Sequence, residues 1–453
     1  MDEDESIAVS AAVTDSAVTP NKDVDQWFAA HRARSDFSVT RIPFAEMDHW
    51  GFAGDAGALA HDSGRFFSVA GLRLEPDSGP AWDQPILVQR EIGILGLLVR
   101  DIDGVAHFLV QAKAEPGYTG GVRISPTVQA TRSNFSGVHR GRSIPYLEHF
   151  LDAPPERVLV DSLQGERAAW FLRKRNRHLV VRVDRDVPEH DGFRWLTLGQ
   201  LRRLMKEDNA VSMEICSVLA CLPAPSSDGA SDFHTALARS ISGKWQAKHG
   251  MREVGSRLCE IKARHEIGQR PIPLHTAEGW QRDDHRLFRP DGRFFSVVAA
   301  RVEANREVPQ WTQPLLAPVP GGISALVTRT IDGVLHVLLD AHIEAGSLDV
   351  AEFRPTVQCT PANYDGRTRP PFLDTVLGAA PERIRYDGVI SEEGARFHHA
   401  ENRYLIVDGG EDFPLDVPPE FTWVSVAQIR RLLEHGYYLN MQARTLVALL
   451  HAI

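Results

Sequence analysis

Residues 111–141 read QAKAEPGYTGGVRISPTVQATRSNFSGVHRG and gather Lys113, Glu115, Arg123, Gln129, Thr131, Arg132, Ser133, Asn134, His139 and Arg140 around a single carboxylate. Guanidinium forks match phosphate oxygens, and short hydroxyl and amide side chains bond sugar hydroxyls and base edges. The stretch therefore reads as an anion-plus-sugar site. A solvated loop of turn residues has much the same composition, so composition leaves both readings open. A second copy tips the balance slightly toward the site. RPTVQCTPANY (354–364) matches SPTVQATRSNF (125–135), keeping Gln358, Thr360 and Asn363 while placing Pro361 and Ala362 where Arg132 and Ser133 stand.

That echo belongs to a duplication of nearly the whole chain. RFFSVAGL from Arg65 returns as RFFSVVAA from Arg293, Trp82-Asp83-Gln84-Pro85 as Trp311-Thr312-Gln313-Pro314, and PERV at 155 as PERI at 381. Ile102-Asp103-Gly104-Val105 returns as Ile331-Asp332-Gly333-Val334, with a histidine, His107 or His336, two positions on. FRWLTLGQLRRLM (193–205) returns as FTWVSVAQIRRLL (421–433). A spacing near 228 residues means tandem domains, since solenoid repeats run at roughly 20–50 residues. The division expected is a disordered tail at 1–22, repeat one at 23–222, a linker with a connecting helix at 223–251, and repeat two at 252–453. Phe233, Leu237, Ile241 and Trp245 recur every fourth residue, so 233–265 carries one or two helices.

Within repeat one, Phe66–Val69, Ile86–Glu91, Leu97–Val99 and Val105–Gln111 read as strands, and Asp103-Gly104 as a hairpin turn. Ala168–Val183 carries another strand pair. Trp195–Met205 and Met213–Leu222 read as helices. Each repeat is thus α+β, a mixed or antiparallel sheet with flanking helices.

The 453 residues are 43% hydrophobic and 24% charged, an ordinary globular composition. Fifty basic against 60 acidic side chains give a net charge of −10, which argues against nucleic acid and anionic membranes as partners. The acidic start and the lack of a long apolar run predict a cytoplasmic protein. Cys216, Cys221, Cys259 and Cys359 form no CxxC pair and read as buried reduced thiols. No GxGxxG follows a strand, no Walker A loop or GxSxG elbow occurs, and His265-Glu266 lacks the second histidine of a zincin. None of the seven tyrosines has a lysine four residues on. No cofactor and no metal are expected.

PTVQATRSN, preceded by WDQP and QAKAEPG and duplicated as PTVQCT, resembles the NDP-hexose 2,3-dehydratase family. GRFFSV, LVQREIGILG, KRNR (174–177) and HHAENRYL (398–405) carry the resemblance along the chain. It implies a cytoplasmic homodimer whose subunits hold two Nudix-like modules. The implied substrate is dTDP-4-keto-6-deoxy-D-glucose, which loses its C2 hydroxyl to give dTDP-3,4-diketo-2,6-dideoxy-D-glucose. That product feeds a downstream 3-ketoreductase in deoxysugar biosynthesis for glycosylated natural products, antibiotics among them. A Nudix-like fold raises diphosphate hydrolysis as the rival enzyme reading, and a nucleotide-sugar binding protein as the non-enzyme one. Hydrolysis needs the glutamate-rich Nudix box; Arg90-Glu91-Ile92 and Arg252-Glu253-Val254 are the nearest fragments of it, and neither continues with paired glutamates.

The elimination needs a base at C3, a donor for the enolate at the C4 oxygen, and an acid for the departing hydroxyl. It is redox-neutral, because oxidation at C3 balances reduction at C2. Glu115 is the expected base, held at a cleft mouth by the Pro116-Gly117 turn and raised in pKa by partial desolvation. A surface glutamate before a turn is the plain alternative. Lys113, on the same strand face, is the expected enolate donor or a mere ion-pair partner, and His139 the expected acid. Arg132, then Arg175, are the diphosphate ligands; Gln129, Thr131, Ser133, Asn134 and Arg65 complete the substrate set; Trp50 and Trp82 stack on the nucleotide or pack in the core. Gln358, Thr360, Asn363 and Arg403 form a degenerate second pocket.

Repeat two has His342 for Lys113 and Pro361 for Arg132, so repeat one is expected to carry catalysis, although Glu344 remains opposite Glu115 in the alignment. Glu115→Gln should lower kcat by about 100-fold or more, while Glu344→Gln should stay within a few-fold of wild type. Steady-state kinetics of the two variants check this, and a reversed result would transfer the active site to repeat two.

Overall fold

The structure, a computed structural model, describes residues 3–35, 37–53, 57–131, 144–184, 186–223, 231–304, 308–364 and 369–453. Each repeat builds one seven-stranded mixed sheet and shares in a five-stranded antiparallel one. In repeat one the long sheet runs Val158–Gly165, Arg175–Arg182, Gly93–Ile102, Val105–Ala114, Phe193–Thr197, with Arg175–Arg182 parallel to Gly93–Ile102. Val122–Ser125 and Val128–Ala130 add to its middle strands. Repeat two copies the order with Ile384–Ser391, Glu401–Asp408, Gly322–Ile331 and Val334–His342, again with one parallel pair. The Asp-Gly hairpins are as expected: Asp103 and Gly104 have φ of 51° and 82°, Asp332 and Gly333 of 50° and 75°.

The five-stranded sheets are exchanged between repeats. Ser38–Ile42, which leads into repeat one, pairs with Phe295–Glu303 of repeat two, from Ser38↔Glu303 to Ile42↔Ala299. Ile267–Ile272, which leads into repeat two, pairs with Ser68–Pro76 of repeat one, from Ile267↔Pro76 to Ile272↔Gly71. One apolar core joins the faces of both long sheets. The Met213–Leu219 and Met441–Leu450 helices are buried within it, beside Val211, Phe353, Tyr404 and Val424.

Several expectations need correction. Residues 3–12 of the supposed disordered tail form a helix, Glu3–Ala12, with Ile7 2% exposed. Its Ser10 Oγ donates to the Ala106 carbonyl and accepts the Leu198 N–H at 2.8 Å. Ser240, in the Asp232–Ser242 helix that falls where a connecting helix is expected, accepts the Val426 N–H at 2.8 Å in the same way. The two helices thus dock on their repeats through matching serines. The first helix is illegible in the sequence because its apolar residues do not gather on one helical face; docking, rather than propensity, holds so short a helix. The twice-occurring histidines explain themselves here. His336 Nδ1 donates to Val334 O at 2.9 Å, leaving Nε2 to accept the Lys248 N–H at 3.0 Å. His107 makes the same strand contact and reaches Ser16 Oγ at 2.8 Å.

Trp195–Thr197 belongs to a strand, and the helix begins only at Leu198, where Thr197 and Gln200 form a capping box. Ser425 and Gln428 repeat it. The four cysteines are free, but only Cys216 is buried; Cys221 and Cys359 are half-buried, and Cys259 is exposed on the outer face of the Met251–Arg264 helix. No helix among the described residues is long and apolar enough to cross a membrane.

The repeats also grip each other through two glycines. Gly117 N–H donates to Gly394 O at 2.7 Å, and the His399 N–H donates back to Gly117 O at 2.9 Å. Gly346 mirrors this on the first repeat, donating to Ala168 O at 2.7 Å and accepting from the Arg173 N–H at 2.7 Å. A Cβ on Gly117 would sit 1.6 Å from Phe397 O, and one on Gly346 2.1 Å from Phe171 O. Gly117→Ala should therefore cost about 3 kcal/mol or more through overpacking, read as a lowered thermal midpoint. Gly255→Ala, in open space on a helix, is the control and should hold or raise it.

Candidate active site

The Gly117 contact delivers a loop of repeat two to the chemistry-bearing edge of repeat one. The cavity formed there is about 190 Å³. Lys113, Glu115, Gln129 and Thr131 come from the polar stretch, Glu166, Lys174 and Asn176 from the paired strands 158–165 and 175–182 and the turn between them, Glu214 from the central helix, and Glu393 and Arg396 from repeat two.

Glu115 is 4% exposed, enclosed rather than at a cleft mouth. Its Oε1 lies 2.8 Å from Lys113 Nζ and 3.4 Å from the donating Gln129 Nε2, and its Oε2 accepts the Gly394 N–H at 3.0 Å. Burial alone would push this carboxyl up. The Lys113 ammonium, the Arg396 guanidinium and the Gly394 N–H outweigh it and hold the pKa below the ordinary 4.5, the reverse of the sequence expectation. Lys174 donates to the Glu91 carbonyl, and burial, helped by Arg396, pushes its ammonium down to about 8. Asn176 Nδ2 donates to Glu166 Oε1 at 2.6 Å, and Arg396 pairs with Glu393. Burial raises Glu393 despite that partner.

Beneath the cavity Arg167, 1% exposed, is shared by three carboxyls: Glu166 at 3.1 Å, Glu214 at 3.3 Å, and Glu392 of the other repeat. Burial pushes Glu214 up to about 7, with Arg167 pulling against and Glu115, Glu393 and Glu166 pushing the same way. Its Oε2 has no hydrogen-bond partner among the described residues.

The expected residues divide. Lys113, Glu115, Gln129 and Thr131 meet in the cavity. Arg132, Ser133, Asn134 and His139 lie outside the described residues. Arg175 is misplaced by one residue of strand parity: Lys174 and Asn176 face the cavity, while Arg175 points the other way and donates to Tyr437 Oη at 2.7 Å. Arg403 fails for the same reason, forming a bidentate pair with Asp387 at 2.7 and 2.6 Å. Arg65 is exposed and does not line the cavity. Trp50 is core, packed on Phe66 and Phe67. Trp82 lines a different cavity, of about 180 Å³, together with Trp170, Trp280 and Arg289. Thr360 and Asn363 are there too, so repeat one lends its tryptophan to repeat two. Gln358 lies deeper, donating to Glu344 Oε1 at 3.1 Å and accepting from Asn440 at 2.8 Å.

Sequence reading missed Glu166, Lys174, Asn176, Glu214, Glu393 and Arg396. Lys174 and Asn176 were within the KRNR segment already noticed. Glu166 and Glu392 stand at matched positions of the two repeats, a usable signal. Glu214 sits in an otherwise apolar helix and gave none.

Comparison with known proteins follows the same division. The sequence profile described as NDP-hexose 2,3-dehydratase matches residues 21–222 and again 251–450. A protein of Amycolatopsis orientalis named dTDP-4-dehydro-6-deoxy-alpha-D-glucopyranose 2,3-dehydratase is 44% identical over 98% of this chain and 93% of its own. A protein of the same name from Saccharopolyspora spinosa is 44% identical over 98% of this chain and 94% of its own, and one from Streptomyces violaceoruber 43% over 95% and 97%. A solved ADP compounds hydrolase aligns with 31% of this chain and 76% of its own at 16% identity, with a TM-score of 0.21, too low to carry an argument about fold. With both repeats matched by one profile and relatives alike along nearly its whole length, the chain belongs to the NDP-hexose 2,3-dehydratase family.

Proposed function

We propose that this chain is a lyase that removes the C2 hydroxyl of dTDP-4-keto-6-deoxy-D-glucose, giving dTDP-3,4-diketo-2,6-dideoxy-D-glucose. The observation that carries the reading is the pair of half-buried Lys113 and buried Glu115 at 2.8 Å inside a cavity whose other polar groups converge from both repeats. The relatives' shared name supplies the substrate class. The C4 ketone acidifies the C3 hydrogen. Glu115, kept ionised by its cationic neighbours, takes that proton. Lys113 offers positive charge to the enolate at the C4 oxygen. The enolate then expels the C2 hydroxyl as water, and the resulting enol becomes the C3 ketone.

In the same reading each repeat is a Nudix-like module lacking the glutamate box, and the particle is a homodimer working in the cytoplasm, where its free thiols stay reduced. The second cavity binds nucleotide at most. At the positions matching Lys113, Lys174, Glu214 and Arg396 the duplication has His342, Ala400, Gln442 and Trp170, of which Trp170 lines that cavity. Burial and Arg354 push His342 down to about 3, so it offers no charge near neutrality.

Incubation with dTDP-4-keto-6-deoxy-D-glucose decides the class. The expected product is the diketo sugar, which sheds dTDP unless a 3-ketoreductase traps it, at a rate EDTA leaves unchanged. Formation of dTMP with Mg²⁺ would mean hydrolysis, and binding without turnover a carrier. Lys113→Met tests the base. A base must be deprotonated, so activity is lost as pH falls through its pKa. Without Lys113, burial dominates at Glu115, and the acidic limb of the kcat/KM profile should move to higher pH. An unmoved limb would exclude Glu115.

A further inference from the structure

We propose that Glu214 is the acid that protonates the departing C2 hydroxyl, an inference resting on the dehydratase reading. Three observations converge on it. Glu214 lines the same cavity as Lys113 and Glu115 and is 2% exposed, so a proton it holds faces ligand rather than bulk water. Its Oε1 is fixed by Arg167 at 3.3 Å, while Oε2, buried and without a hydrogen-bond partner among the described residues, can present a proton to a bound group. Arg167 serves three carboxyls, so its single positive charge is divided among three buried groups. Glu166 has both oxygens engaged, by Asn176 at 2.6 Å and Arg167 at 3.1 Å, and Glu392 has Arg167 and Asn402. Glu214 has the longest of the three contacts and is the carboxyl left to hold the proton, in line with its rise to about 7.

The duplication gives an independent sign. Glu115, Glu166 and Asn176 have Glu344, Glu392 and Asn402 as their counterparts, so these types are common to both repeats. Glu214 instead has Gln442, buried at the matching place of the Met441–Leu450 helix, an amide that keeps the shape and cannot give a proton. Glu393 also lines the cavity, with an Oε2 that has no hydrogen-bond partner among the described residues, but Arg396 holds it in a closer pair than Arg167 makes with Glu214 and is not shared among three carboxyls.

The steps balance. The C3 proton passes to Glu115, and the C3–H electrons form the enolate. The enolate electrons make the C2–C3 double bond as the C2–O bond breaks, and the Glu214 proton leaves with the hydroxyl as water. Glu115 then returns its proton to C2, and the C3 enol O–H proton returns to Glu214. Both groups end as they began.

The test separates the two proton transfers. Wild type, Glu115→Gln and Glu214→Gln are each incubated with dTDP-4-keto-6-deoxy-D-glucose in D₂O. Product is quantified, and the C3 proton of recovered substrate is followed by NMR. Glu214→Gln should dehydrate about 100-fold or more slowly yet still exchange the C3 proton, because the base is intact. Glu115→Gln should do neither. Glu214→Gln dehydrating within a few-fold of wild type, or losing exchange together with dehydration, would overturn the assignment. Should the amide variant fail to fold, Glu214→Asp replaces it: the ratio of exchange to dehydration should rise above wild type, and an unchanged ratio would overturn the proposal. No dehydration by wild type itself would instead sink the reading beneath it.

Discussion

The structure depends on two backbone contacts in which a glycine of one repeat meets a carbonyl of the other. Gly117 against Gly394 and Phe397, and Gly346 against Ala168 and Phe171, bring main chains closer than any side chain permits. From the first contact follow the Gly394 N–H on Glu115, the position of Arg396, and the closure of the cavity. From the second follows the seating of Trp170 in the other cavity. The repeats are consecutive in sequence, but neither owns its site.

The charges in the first cavity are arranged around one guanidinium. A buried ion is costly unless paired, and removing one partner leaves the other exposed to the full penalty. Arg167 spans both repeats, meeting Glu166 and Glu214 on one side and Glu392 on the other. It stands where repeat two has Glu393, so one charge reversal between the copies converted a matched pair of loops into a donor and an acceptor. Burial raises Glu214 against the pull of Arg167, while Lys113 and Arg396 outweigh burial at Glu115 and hold it below its ordinary value, and this separation lets a base and an acid coexist in one small space.

Local chemistry was legible, and exchange between repeats was not. The duplication, the Asp-Gly hairpins and the Lys113–Glu115 pair follow from residue type and period. Charge alone points to Arg175 and Arg403, whereas strand parity selects their neighbours. Trp82 was assigned to its own repeat, because nothing in a linear pattern says that its side chain serves the other. The Glu3–Ala12 helix is held by Ser10 and Ile7 against distant strands, contacts that composition cannot display.

The exchanged strands also set an order of events during synthesis. Ser68–Pro76 meets its partner Ile267–Ile272 only after roughly 190 further residues have been made. At about 5–20 residues per second that is a delay of about 10–40 s, during which one edge of the first half stands bare. Its N–H and C=O groups are a template for pairing with any neighbouring nascent chain, the hazard that unpaired edges carry generally. The first half therefore matures only when the second arrives, and a ribosome stalled between them would leave a sticky, half-built sheet.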